Sequence, residues 1–411
     1  MPRPTKCHSG TWLLVAMGLA VAAGAALPAQ TQTVELALRD GRVWLATALQ
    51  GEPGRDLEAV VGGERRRIGA GELLAVHGVA VQTVELASAW LRGGEVLRGA
   101  LVSGDATGDH LELLSPTLGR VVVAVDRLTA FGAPAASHLR PADLPLPDGV
   151  GEAILQRAAI GYDLVAGTLH QFGEQGVRFQ PDGDRAPRWF RLQDFLALRI
   201  ADAVARPAAA QALLLTRTGD RLGVVVRAFT GAGVRCELEN GATVEVRAGD
   251  LACVSFAGVG TFLSDLQPKE VSESGFDGDA VHPWQRDTGA LGGPLVAGER
   301  THAKGLGVHS RSRLVFTVPA GTASFWTRVA VDDSAGSLAV RANVDVRVLV
   351  GGAVRFEHKG LEPGQGARDT GLMAVRPGET VTLEVDFGKG RDLGDRVDWL
   401  SPVFLPGPGA R

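Results

Sequence analysis

Apolar positions recur with a period of two through the last third of the chain. Leu314, Phe316 and Val318 share one face of the run Arg313–Val318. Across Val344–Val350 every even position is valine, and Asp345 and Arg347 fall on the other side. Val381–Phe387 repeats the scheme, with Thr382, Glu384 and Asp386 turned outward. Alternation of this kind marks strands with one buried and one wet face. Gly351-Gly352 and Arg376-Pro377-Gly378 supply turn chemistry beside the runs. Successive strands with no helical pattern between them predict two antiparallel sheets packed face to face.

A different pattern fills Val34 to about Gly258. Four degenerate units each open with a short apolar strand, turn at glycine, rise into a second strand and close after a polar-to-apolar step. The opening turns are Asp40-Gly41, Gly93-Gly94, Gly161 and Gly219-Asp220. The closing steps are Glu72-Leu73, Arg127-Leu128, Asp194-Phe195 and Asp250-Leu251. Turn glycine and closing residue stand 32, 34, 34 and 32 positions apart, a regularity that marks duplicated units. A further glycine recurs in the second strand, at Gly99, Gly167 and Gly223, and is missing from the first unit. Units of this size suggest small barrels like the Sm or SH3 folds. Each buries too little surface to stand comfortably alone, so they are expected to pack one with two and three with four. The predicted break between pairs is Ala133–Gly151, where Pro134, Pro141, Pro145 and Pro147 cluster as in a stiff connection.

Composition narrows the class. The 55 glycines suit a turn-rich all-β chain, and 45% hydrophobic content is that of a globular protein. A formal net charge of −4 with both signs spread along the length gives no invitation to nucleic acid. Residues 1–29 read as an export leader: Arg3 and Lys6 precede the apolar run Trp12–Ala26, with Leu27-Pro28-Ala29 before Gln30 as the cleavage site. That run falls short of the ~20 apolar residues a comfortable span needs. The mature chain is therefore expected to have no membrane span and to be secreted, periplasmic or in the cell envelope.

Several separated motifs carry a family resemblance. They are Trp284, Gly293-Pro294-Leu295, the run Lys304–Ser310, Ser312, Phe325, Val331-Asp332-Asp333 and Asp395–Trp399, with Leu263–Pro268 as a lead-in. Residues about 262–406 resemble the NPCBM family, a carbohydrate-binding module associated with family-98 glycosyl hydrolases. One departure is visible: Gly351-Gly352 stands where the family usually has an Asp-Gly turn. The resemblance implies a jelly-roll-like β-sandwich, glycan recognition of galactose type, and a framework role for His309.

Candidate site residues follow from strand alternation. Phe325, Val329 and Val331 take one face of their strand, which turns Trp326 and Arg328 to the other. An outward indole is a platform for the apolar face of a sugar, with polar neighbours fixing its orientation. Asp332, Asp333, Asp395 and Asp398 are carboxylates able to accept hydrogen bonds from sugar hydroxyls or to hold a structural calcium. Trp284 and Trp399 read as core. Cys236 and Cys253 in the fourth unit are either two buried thiols or a disulfide. No His-x-x-x-His pair, Gly-x-Ser-x-Gly elbow or phosphate loop is present.

The sequence thus predicts an exported, non-catalytic, all-β protein without a resident cofactor: repeated small β-barrel-like units followed by a C-terminal β-sandwich. Its segments are a leader (1–29), a first pair of units (30–132), a proline-rich linker (133–151), a second pair (152–260) and the NPCBM-like sandwich (262–406). The expected partner is a glycan or polysaccharide. The rival is an envelope assembly protein whose sandwich binds protein instead, and a glycoside hydrolase component ranks third.

Overall fold

The computed structural model describes residues 33–105, 107–137, 139, 151–200, 210–278 and 281–407. The leader and most of the proline-rich connection lie outside these residues. Among the described residues no helix is long and apolar enough to cross a membrane. The fold is all-β, as the two patterns require.

The repeats are four five-stranded units of one topology. The first comprises Val34–Leu38, Val43–Gln50, Leu57–Val61, Glu64–Ile68 and Leu73–His77. Each strand pairs antiparallel with the next through the fourth, and the fifth returns to pair with the first. The same scheme recurs from Ala87 to Gly132, Ala153 to Arg199 and Ala212 to Phe256. The recurring second-strand glycine has a geometric reason. In the third unit Ala166 pairs with the first strand at Ala153, and Gly167 begins the pairing with the third strand at Pro181. A Cβ on Gly167 would lie 2.2 Å from the Gln180 carbonyl oxygen. The long strand changes partner and bends there, so backbone approaches too closely for a side chain.

The expected pairing of units is corrected. The fifth strand of unit one pairs with the fifth strand of unit four, through Cys253 with His77 and Ser255 with Ala75. Unit two joins unit three in the same way, through Phe131 with Leu198. Pairing is thus one with four and two with three. Sequence adjacency misled because the joining edge is the fifth strand, whose free side can meet any other unit's fifth strand. Units two and four also meet around Asp220, whose buried carboxylate accepts from Thr216 (2.5 Å), Thr117 (2.8 Å) and the Arg98 backbone N–H (2.7 Å).

The C-terminal sandwich has two sheets. One is built of Glu270–Glu273, Ser312–Thr317, Thr380–Phe387, Val344–Val350 and Ala353–Leu361 in that spatial order. The other centres on Arg396–Pro406 between Gly305–His309 and Thr322–Val331, with short edge strands outside. Leu314, Phe316, Val346, Val348, Leu383, Phe325, Val329 and Trp399 fill the space between them.

Gln32–Arg411 is one compact unit, because the second sheet's outer face lies against repeat units one and four. The segments read as repeats (30–260) and sandwich (262–406) share an apolar seam. Trp326, Val403, Leu405 and Phe262 pack with Ala37, Leu74 and Ala75, and Ala303 packs with Leu215, Ala252 and Cys253.

Candidate functional site

Trp326 is 1% exposed, and its expected role as an outward sugar platform is corrected. Alternation does turn it away from the sandwich core, but the opening turn of unit one covers it. A Cβ on Gly41 would stand 3.2 Å from the indole, so that turn needs glycine both for its φ of +81° and for the ring beside it. The Trp326 indole N–H donates to Asp369 (3.0 Å). Arg328 forms an ion pair with Glu35 of unit one, both side chains mostly buried. Burial tends to raise the Glu35 pKa, yet His77, Arg328 and Arg300 outweigh it and hold the carboxyl below its usual range.

The same seam holds a polar cluster. Arg221 of unit four reaches Asp287 (3.0 Å), which also accepts from Lys304 (2.9 Å). The His77 ring lies 4.0 Å from His302, and His77 Nδ1 is 3.1 Å from the Thr301 carbonyl and 3.4 Å from the Cys253 sulfur. Both ring nitrogens of His302 are buried without a hydrogen-bond partner. Burial lowers the His77 pKa to about 4 and lowers His302 well below the ordinary imidazole value, with Arg328 and Arg300 adding repulsion.

The four aspartates separate into different surroundings. Asp395 accepts from Ser310 Oγ (2.6 Å) and the Asn343 N–H (3.2 Å), and burial raises its pKa to about 6. Asp398 is fully buried beside Asp332, and burial and that neighbour raise its pKa well above the carboxylate range. Neither residue can face a ligand, which corrects their place in the expected sugar site. Asp332 accepts from Ser334 N–H (2.8 Å) and Val296 N–H (3.3 Å). Asp333 accepts from Glu299 N–H (2.8 Å) and Gly298 N–H (3.1 Å). These two tie the hairpin Leu295–Ala297/Arg300–His302 to the end of Thr322–Val331.

Asp332 and Asp333 nevertheless line a cavity of about 230 Å³ at this loop end of the sandwich. Ser334 and Arg396 complete its polar wall, Leu291, Pro294 and Val296 its apolar wall, and Ala80-Val81 of the repeats its rim. Arg396 donates to Ser334 Oγ (3.1 Å), and no acidic side chain pairs with its guanidinium among the described residues. A cation, a hydroxyl and anchored carboxylates around apolar surface can fix the hydroxyls of one sugar ring. Arg396 and Leu291 were missed in the sequence because neither stands out in a strand pattern. A signal existed opposite Trp326: Trp399-Leu400 and Val403-Phe404-Leu405 put apolar residues at successive positions, the mark of a strand covered on both faces.

Residues 260–405 match the NPCBM/NEW2 domain family. This is a family of carbohydrate-binding modules, which supports a sugar-binding role for the NPCBM domain. Among solved structures, a CBM51 module from Clostridium perfringens GH95 in complex with methyl-galactose is 18% identical. The match covers 35% of this chain and 99% of that one, with a TM-score of 0.31. CBM51-2 with GlcNAc and INT domains from Clostridium perfringens ZmpB is 21% identical over 48% of this chain and 40% of that one, TM-score 0.32. Tandem CBM51 modules from Streptococcus pneumoniae are 12% identical over 91% and 88%, TM-score 0.32. No curated protein matches the chain.

The other sequence expectations resolve locally. Cys236 and Cys253 are free, buried thiols rather than a disulfide; they sit on strands Gly233–Glu237 and Leu251–Phe256, which do not pair with each other. Burial pushes both thiols up to about 12. Among the described residues no group of three or more His, Cys, Asp or Glu is arranged to hold a metal ion. His309 Nδ1 lies 3.1 Å from the Ser310 carbonyl.

Proposed function

We propose that the protein is an exported, non-catalytic carbohydrate-binding protein whose NPCBM domain takes one sugar unit in the loop-end cavity. The observation that carries this reading is the cavity's position within the family-matched domain, with Arg396, Ser334 and Asp333 beside Leu291 and Pro294. The resemblance points to galactose-type glycans, and the leader pattern of residues 1–29 supports export. A binding rather than hydrolytic role agrees with the carboxylates. Glycosidases work with a pair flanking an open cleft, whereas Asp332 and Asp333 are fixed by backbone N–H groups and Asp398 is sealed away.

Single-ring contacts of this kind give micromolar to millimolar affinity, about 4–8 kcal/mol. Calorimetry of the full chain against galactosides and other glycans tests the proposal. Arg396→Gln should weaken binding about tenfold, the worth of a hydrogen bond from a charged donor, with no loss of fold. Sugar release from the glycan would contradict the non-catalytic reading. Failure of the wild type to bind any glycan would favour the envelope assembly reading. One observation supports that alternative: the sandwich already uses part of a sheet face, around Trp326, Val403 and Leu405, to pack on the repeats.

A further inference from the structure

The third repeat unit differs from its siblings in what it leaves open. Three cavities, of about 510, 410 and 420 Å³, meet along its fourth strand, Arg188–Arg191. The first two share Gln175 and Arg191, the last two share Trp189 and Phe190, and the first and third share Arg157. Through these shared residues they adjoin one another as one groove, and the indole of Trp189 lines two of the three.

Trp189 is 53% exposed, yet it is held in place. A Cβ on Gly173 would lie 2.7 Å from the edge of the indole, so the ring rests directly on the glycine of the neighbouring hairpin. Across the strands Trp189 stands opposite Arg178, with Phe190 turned inward against Val177. The platform is therefore preorganised, and little side-chain freedom is left to lose on binding. Around it cations outnumber carboxylates: Arg157 and Arg191 line the groove and Arg178 stands opposite Trp189, against the carboxylates Glu174 and Asp194. Among the described residues Arg157, Arg178 and Arg191 have no acidic partner. The nearby Asp194 carboxylate instead accepts from the Arg191 backbone N–H (3.1 Å). Gln156, Gln175 and Gln193 add amides that both donate and accept.

We propose that this groove is a second ligand site, for an acidic oligosaccharide. The indole face matches the apolar C–H face of a pyranose ring. The guanidinium groups match a carboxylate or sulfate through charge-assisted hydrogen bonds. The amides match ring hydroxyls. An acidic peptide would satisfy the arginines but would leave the flat indole and the amides without their complement. The site is built on unit three, with Pro134 and Ala135 of the preceding connection at one end, and does not depend on the NPCBM domain's cavity.

Calorimetry of the full chain with tetragalacturonate, a hyaluronan tetrasaccharide and a heparin tetrasaccharide tests it, with methyl-esterified tetragalacturonate and poly-glutamate as controls. At least one acidic sugar should bind, weakening with salt, and the methyl ester should bind at least tenfold more weakly. Trp189→Ala and Arg191→Gln should each cost about tenfold, while Arg396→Gln in the other cavity should change nothing. Both unit-three positions are exposed, so melting temperature should hold; Trp189→Phe, keeping an aromatic face, should restore part of the affinity. The proposal is overturned if none of the three sugars binds, if Trp189→Ala and Arg191→Gln bind as the wild type does, or if poly-glutamate binds as tightly as the sugars.

Discussion

The two outer faces of the sandwich follow the same alternation and meet opposite surroundings. On the five-stranded sheet the outward residues are charged and wet. Arg313 bridges Glu270 (2.7 Å) and Glu384 (3.1 Å), and Arg347 bridges Glu357 (2.8 Å). On the other sheet the outward residues are Trp326, Arg328, Ala330, Leu400 and Val403, all covered by the repeats or by the hairpin at Leu295. Period-two patterning tells which way a side chain points from its own sheet. It does not tell what lies beyond. Here the second face is an internal seam, which leaves the sandwich's loop end and the groove of unit three as the proposed ligand sites.

The sharpest way to break the comparison is to remove the cover. Residues 262–411 alone expose Trp326, Val403 and Leu405 and leave Arg328 without Glu35. We expect this fragment to aggregate or to lack a cooperative transition, as seen by circular dichroism and size-exclusion chromatography. A soluble fragment that melts as sharply as the full chain would mean the seam contributes little.

Single substitutions should divide by face. Trp326→Ala should cost about 3–5 kcal/mol through the cavity left at the seam. Glu35→Ala should cost a similar amount, about 3–5 kcal/mol, because it strands the buried Arg328 charge. Arg313→Ala on the wet face should cost no more than about 1 kcal/mol. Denaturant unfolding of the three variants checks the contrast.

Acid should loosen the seam first. His77, with a pKa of about 4 against an ordinary 6.5, takes up its proton more readily when unfolded. Its contribution to stability is therefore largest at neutral pH and falls as pH drops from about 6.5 towards 4. His302 acts in the same sense, and Glu35, held below its ordinary 4.5, adds to the loss at still lower pH. Asp395 opposes them, since a carboxyl raised to about 6 is stabilising while protonated and loses that contribution as pH rises from 3.8 through 6. Asp398, whose carboxyl is raised in the same direction, opposes them too, so the histidine contribution is read by difference: His77→Phe should lose less stability than the wild type between pH 7 and pH 4.5. A His77→Phe profile in pH-dependent unfolding as steep as the wild type's would count against it.

A smaller effect isolates the histidine part. His302→Phe removes two unpartnered buried nitrogens while keeping an aromatic ring. It should be neutral or stabilising by about 1 kcal/mol at pH 7 and should reduce the acid slope. Smaller still is the thiol test. Denatured, unreduced protein beginning at Gln30 should titrate two free thiols, Cys236 and Cys253, whereas none would restore the disulfide.

Much of the fold was legible because alternation and repeat spacing are local. The sandwich strands, the four units and the inward faces of Val344–Val350 and Val381–Phe387 all lie where their periodicity placed them. Partners across long distances were not legible. Fifth strand with fifth strand is a pairing between residues 75–77 and 253–255, and no local signal selects it over a neighbouring unit. The site was read least well for the same reason. Trp326 and Asp398 both look available in a single strand and both are enclosed by segments remote in sequence. The successive apolar residues Val403-Phe404-Leu405 did carry the warning that their sheet is covered twice.

Hydroxyl-radical footprinting of the full native chain, read by mass spectrometry, tests this most directly. It compares Trp326 and Trp189, two indoles turned outward from their own strands. The covered face predicts rapid oxidation of Trp189 and protection of Trp326 until the protein is unfolded. Equal oxidation of the two in the native state would show that the seam is open and would return Trp326 to the surface as a ligand platform.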